Sequence, residues 1–227
     1  MGAGAWWTYR PDDLLMVSPR VYARLFELHN QALWPAQPLA LALGGLALIV
    51  LLRPGPRRTR LLLMLLALAW AFVAWTFLWQ RYAPLQRGIA PVAALFGLQA
   101  LLLAGLGLLR TGLHLPRRWS VRRGIGIGLF AYALVLHPLL APATGRGLAG
   151  AELLGLTPDP LAIATLGVMA MAEPARRAWA LLALPALWCL LSGLTLTLLG
   201  APGAWLPPLA VAMALTARWW PTPAALR

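Results

Sequence analysis

Long apolar runs separated by short polar stretches dominate the chain. Seven can be counted, at residues 35–52, 61–79, 90–109, 124–140, 160–172, 178–199 and 203–217. Most approach the ~20 residues that a membrane-spanning helix needs at about 1.5 Å per residue. The fifth run is the shortest. No run alternates polar and apolar residues with a period of two, which excludes a β-barrel. There is no convincing internal repeat and no second domain. The pattern predicts an all-α, polytopic membrane helix bundle of about seven transmembrane helices.

A different pattern precedes the first run. Ser18-Pro19 reads as an N-cap followed by proline at the first helical position. Beyond it, Val21, Leu25, Leu28 and Ala32 recur at helical spacing, as do Tyr22 and Phe26, with Arg20, Arg24, Glu27 and Asn30 largely between them. This spacing predicts an amphipathic helix lying in the interface or on the other helices. Trp34-Pro35 then turns the chain into the bilayer. The expected organisation is an N-terminal segment over 1–34, a transmembrane bundle over 35–220 and a short cytoplasmic tail over 221–227.

Composition agrees. Apolar residues make up 61% of 227 and charged residues 11%, with mean hydropathy +0.74. These values exclude a soluble globular domain, a disordered chain and a disulfide scaffold. The lone Cys189 lies in an apolar run and reads as a small buried hydrophobe. Residues 2–13 lack a signal-peptide pattern, so the first span is expected to serve as the insertion signal. Trp6 stands where a myristoylation motif needs Ser or Thr.

The net charge is +13, and all 19 basic residues are arginine. Loop arginines of this kind set membrane orientation and do not point to nucleic acid. With seven spans, Arg53, Arg57, Arg58, Arg60, Arg110, Arg117, Arg118, Arg122, Arg123, Arg176, Arg177, Arg218 and Arg227 share one side, against Arg10, Arg20, Arg24, Arg81, Arg87 and Arg146 on the other. The split is 13 to 6, and it becomes 9 to 10 if the fifth run does not cross, because the last four arginines of the richer set then change sides. The richer side is expected to be cytoplasmic. The reading is therefore a membrane protein with its N-terminus outside and its C-terminus in the cytoplasm. Trp34, Trp79 and Trp205 fall at the outer ends, and Trp119, Trp179, Trp219 and Trp220 at the inner ends, as an aromatic belt requires. Arg117, Arg118, Arg122 and Arg123 are candidates for contact with anionic lipid headgroups.

Ionisable side chains that could do chemistry gather on the outer side. Asp12, Asp13, Glu27, Glu152, Asp159 and His29 face outward in this topology, and His137 sits near the outer end of the fourth span. Two imidazoles and two carboxylates, His29, His137, Glu152 and Asp159, form a candidate divalent-metal site of the zinc type. Asp159 has an ordinary reading as the cap of the fifth span, with Pro160 in its first turn. The functional alternative is a half-helix over 148–156 that dips into the membrane before the Pro158-Asp159-Pro160 break, leaving Glu152 as a buried acid partnered by Arg146 or His137. His137 alone could bond a neighbouring backbone carbonyl. A bis-histidine haem is disfavoured, because His29 and His114 lie outside the expected spans. Gln99, Trp70, Trp75 and Thr76 are candidates for interhelical hydrogen bonds. Gly44, Gly45, Gly105, Gly107, Gly124, Gly126 and Gly128 would permit close helix approach. No nucleophile–base pair, P-loop or catalytic carboxylate pair can be read, and no cofactor is expected.

Several of these stretches carry a resemblance. Phe26-Glu27-Leu28-His29-Asn30 with Trp34-Pro35-Ala36-Gln37, Leu95-Phe96-Gly97-Leu98-Gln99-Ala100, Tyr132-Ala133-Leu134 with Pro138-Leu139-Leu140, and Pro185-Ala186-Leu187-Trp188 resemble a family of bacterial multi-pass membrane proteins classed as a domain of unknown function. The likeness covers about residues 9–220. The chain departs from the family pattern at Gly145-Arg146, where a Gly-His is usual, and at Thr157-Pro158-Asp159-Pro160, in place of a Pro-Cys-Pro-Thr-like turn. The resemblance implies the architecture and no activity. The function expected first is an accessory or structural subunit packed on a larger membrane complex; the alternative is a small permease or metal-handling protein with a periplasm-facing polar site. The expected partners are the lipid bilayer and other membrane subunits.

Overall fold

The computed structural model describes residues 18–86, 88–109 and 112–220. Arg10, Asp12, Asp13, Arg87, Arg110 and Arg227 lie outside the described residues, as do 1–17 and the tail 221–227. The described residues are helical, with isolated bridges at His114–Glu173 and Leu154–Thr157 in place of any sheet.

The order is α1 (Pro19–Ala32), α2 (Ala36–Leu52), α3 (Pro56–Val73), α4 (Ile89–Leu108), α5 (Val121–Ala131), the one-turn α6 (Leu140–Ala143), α7 (Pro158–Met171), α8 (Ala175–Leu198) and α9 (Leu206–Trp219). A π-helical stretch, Ala74–Tyr82, extends α3, and another, Tyr132–Leu136, extends α5. Each of the seven apolar runs is thus a helix. Four continuous helices, Pro56–Tyr82, Ile89–Leu108, Val121–Ala143 and Ala175–Leu198, are long and apolar enough to cross a membrane. The number rises to five if α1 and α2, bent by 93° at Trp34-Pro35, make one broken span. The expectation of seven spans therefore reduces to four or five candidates.

The fifth run explains much of the difference. Helix α7 has 14 residues and spans about 21 Å, short of the ~30 Å hydrocarbon core. All of its residues are buried. A helix that is apolar on every side belongs inside protein, and α3, α5, α8 and α9 pack around this one. Shielded in that way, it has no lipid contact that would demand full span length.

Small residues let the chain close on α7. A Cβ on Gly126 of α5 would run into the Gly167 carbonyl, and a Cβ on Gly167 into that of Gly126. Gly44 serves α2 similarly, since its Cβ would lie 2.5 Å from Leu134 Cδ1, whereas Gly45, Gly105 and Gly128 face open space. Polar groups in the interior meet specific partners. Trp70 Nε1 donates to Thr165 Oγ1 at 2.9 Å. Pro185 inside α8 cannot donate to the carbonyl of Leu181 four residues back, and Gln99 Nε2 of α4 donates there at 2.8 Å. Thr76 bonds its own helix at the Phe72 carbonyl, and Trp75 is exposed.

Helix α1 begins as expected, with Ser18 accepting from the Val21 amide and Pro19 in the first turn. Its buried face differs from the expected one. Tyr22, Leu25, Phe26, His29 and Asn30 are buried, while Val21, Leu28 and Ala32 are exposed. The reason lies in segment 148–157, which α1 covers. This stretch is a single 3-10 turn, Leu148–Gly150, and then non-helical backbone, not the half-helix considered from sequence. Irregular backbone in a low-dielectric interior needs internal partners. Asn30 Nδ2 donates to the Ala149 and Ala151 carbonyls, both at 2.8 Å, and His29 Nε2 lies 3.0 Å from the Leu156 carbonyl.

Candidate polar site at the N-terminal end of α7

The chain reverses after α6 through Gly145 (φ 79°) and Gly147 (φ 70°), left-handed conformations that glycine adopts without penalty. The reversal brings segment 148–157 back against α1 and delivers Pro158-Asp159-Pro160 to the first turn of α7. Three of the four sequence candidates converge there. One ligand atom each from His137, Glu152 and Asp159 lies within 4.8 Å of the others. His29 is not among them: its Nε2 meets the Leu156 carbonyl, its ring packs edge-on against Phe77, and its Nδ1 is buried without a hydrogen-bond partner.

The two carboxylates have different surroundings. Asp159 does not cap α7; the cap position is Thr157, without a side-chain bond. Instead, Asp159 Oδ1 accepts from Trp188 Nε1 at 2.7 Å and Oδ2 from Ser192 Oγ at 2.6 Å. Both donors sit on α8, four residues apart and therefore on one helix face. Glu152 is far less well supplied. Arg146 Nη2 stands 3.6 Å from its Oε1, and Oε2 is buried without a hydrogen-bond partner. Burial, and secondarily the Asp159 charge, push the Glu152 carboxyl up to about 8, with Arg146 opposing. His137 has the Glu152 backbone as a hydrogen-bond partner, while its Nδ1 is buried and unpartnered. Tyr132 lies edge-on to that ring at 5.8 Å, its hydroxyl also buried and unpartnered. A cavity of about 390 Å3 adjoins the group, lined by Tyr22, Arg146 and Trp205 among others.

The opposite end of α7 is also polar, with the reverse sign. Arg122 Nη2 donates to the Ala170 carbonyl at 3.2 Å, and Arg218 Nη1 to that of Ala172 at 2.6 Å. Glu173 lies 3.1 Å from Arg122 and 3.8 Å from Arg218. Acid at the helix N-terminus and guanidinium at its C-terminus both complement the helix dipole.

The expected headgroup set is mostly engaged in this end of the bundle. Arg123 is buried and donates to the Arg117 carbonyl and, at 2.7 Å, to that of Leu52. Arg122 is buried against α7, and Arg117 Nε reaches the Pro54 carbonyl at 3.1 Å. Arg60 likewise donates to the Gly107 carbonyl at 2.8 Å. These arginines satisfy the orphan carbonyls at the ends of α2, α4 and α7. Of the four, Arg117 and Arg118 are exposed. Cys189 is buried, and His114 is exposed with its backbone paired to Glu173.

Arg146 was among the residues legible from sequence as a partner for Glu152. Trp188 and Ser192 were not singled out. Their signal was available: two hydrogen-bond donors at positions i and i+4 in an otherwise apolar span. No curated protein and no solved structure matches the chain. One family model matches residues 20–222, that of a family of unknown function. The chain belongs to that family, DUF6064.

Proposed function

We propose that this chain is a metal-handling protein of the bacterial inner membrane, which holds a divalent transition metal at His137, Glu152 and Asp159. One observation carries the reading. Glu152 Oε2 and His137 Nδ1 are both buried without hydrogen-bond partners, and they belong to a group of three ligand-bearing side chains that already converge. Unsatisfied buried polar atoms are costly, and a bound cation supplies what both lack. An imidazole and two carboxylates suit zinc or a metal of similar preference, with a coordination position left for water or cargo. Trp188 and Ser192 then orient a ligating carboxylate, as outer donors do at metal sites. The adjoining cavity gives the site an approach from one end of the bundle.

In this reading the arginine-rich end is cytoplasmic and the site faces the periplasm. The test is metal content after purification in mild detergent, followed by zinc titration of the metal-stripped protein. Near-stoichiometric zinc in the wild type, lost in His137→Ala and Glu152→Gln, is the expected result. Equal zinc in wild type and variants sinks the proposal.

A second reading is the accessory subunit of a larger membrane complex. It rests on the exposed apolar surface, including Leu68, Leu101, Leu108 and Trp34. Lipid alone accounts for such a surface, so this reading ranks second. A stoichiometric assembly retained through purification from native membranes favours it.

A further inference from the structure

Arg146 occupies an unusual position. Its guanidinium lines the cavity beside Glu152, yet the side chain is 29% exposed while that of Glu152 is only 9% exposed. The contact between them is long, at 3.6 Å, and leaves Glu152 Oε2 without a partner. Its other side-chain bond, Nε to Thr144 Oγ1, is also long at 3.4 Å. The residue is flanked by Gly145 and Gly147, both exposed and both at positive φ. The arginines at the far end of α7 differ in burial and in their partners. Arg122 and Arg218 are buried and donate to the main-chain carbonyls of Ala170 and Ala172.

Charge arithmetic gives this arrangement a meaning. Glu152 and Asp159 together carry up to two negative charges beside the single positive charge of Arg146. A divalent cation coordinated at the same carboxylates would face Arg146 at close range, and like charges at such separation repel strongly in a buried setting. We infer that Arg146 is a tethered counter-cation, held over Glu152 when the site carries no metal and displaced toward solvent when a divalent metal binds. The inference rests on the metal-handling reading and adds the residue that sets the site's affinity. A monovalent cation offers too little charge to replace the guanidinium. A divalent one overcomes it, so Arg146 acts as a filter for charge. Metal entry and Arg146 exit are then one exchange, and the exit frees the mouth of the cavity.

The experiment compares zinc affinity of the full-length protein in detergent for the wild type, Arg146→Gln and Arg146→Lys, using a competing fluorescent chelator. Loss of the repelling charge is expected to tighten zinc binding in Arg146→Gln by about tenfold or more, whereas Arg146→Lys stays near wild type. Zinc binding by Arg146→Gln where the wild type shows none supports the same conclusion. Equal or weaker binding by Arg146→Gln, with clear binding by the wild type, overturns the role of Arg146 and leaves the metal reading standing. Absence of zinc binding in all three proteins overturns the metal reading and this inference with it. A measurement on the wild type alone guards against a misfolded variant. Zinc is expected to speed tryptic cleavage after Arg146, and an unchanged rate contradicts the displacement.

Discussion

The two ends of α7 solve the same problem differently. Each buries charged side chains at the terminus of a fully enclosed apolar helix. At the C-terminal end, Arg122 and Arg218 meet main-chain carbonyls and share Glu173. Cation, carbonyl and carboxylate there draw on the helix dipole, although Arg122 Nε and Arg218 Nη2 are buried without hydrogen-bond partners. At the N-terminal end the acids outnumber their cation. Asp159 is fully engaged by Trp188 and Ser192, but Glu152 and His137 keep unpartnered atoms. Both ends keep unpartnered buried atoms. Only at the second do they belong to ligand-bearing side chains that converge, and such groups gather where ligands bind.

Removing a charge should therefore have opposite consequences at the two ends. The largest effect is expected from Arg218→Met, which strips the Ala172 carbonyl of its donor and leaves Glu173 with Arg122 alone. Losing the bond from a buried charged donor to that carbonyl costs up to about 3 kcal/mol. Thermal unfolding in detergent should show a large fall in midpoint. Trp188→Phe comes next. It deletes one of two donors to the Asp159 carboxylate, at about 1.5–3 kcal/mol for a bond to a charged group. In the metal-handling reading it also weakens zinc binding about tenfold by loosening a ligand.

Glu152→Gln should change metal-free stability by about 1 kcal/mol or less at neutral pH, because an under-compensated buried acid contributes little. Its signature is in the pH dependence. Glu152 in the folded protein titrates at about 8, above its ordinary value of 4.5, so the folded state binds the extra proton between those values. The stabilisation this confers is complete below about pH 4.5 and is lost as pH rises to about 8. Glu152→Gln should remove that slope from melting curves of the metal-free protein. Zinc affinity of the wild type should rise over the upper part of the same window, since the metal must expel the proton. An identical slope in wild type and variant would erase the contrast between the ends.

The smallest effect sits between them. Gln99→Leu leaves the Leu181 carbonyl without a donor and should cost about 1 kcal/mol. Pro185→Ala in the same chain should recover most of it by restoring the in-helix bond. Failure of this rescue would mean that Gln99 acts through packing.

The helices were legible because apolar run length is a local property, and every run became one. The crossing number was not. A run of 13 residues looks like a short span until α3, α5, α8 and α9 are seen to enclose it. The buried face of α1 was misread for a related reason. His29 and Asn30 look polar and solvent-facing by composition, but they turn inward to serve carbonyls at positions 149, 151 and 156, more than a hundred residues away. The same distance hid the fact that His29 stands apart from His137, Glu152 and Asp159, which a glycine-flanked reversal within some twenty residues brings together. Arg122 and Arg123 looked like headgroup ligands because loop charge reads the same whether it meets a phosphate or the end of a helix.

If the bundle lies in a bilayer with α7 along its normal, the shortness of this helix also shapes the electric field there. Charged groups at both of its termini leave only about 21 Å of purely apolar path between them, against about 30 Å for an ordinary span. A transmembrane voltage then falls more steeply along this axis than elsewhere in the bundle. Each elementary charge moved through the full drop gains or loses about 2.3 kcal/mol per 100 mV. In the metal-handling reading, a cation held at Asp159 stands at the brink of that steep fall, and membrane potential becomes a force on it.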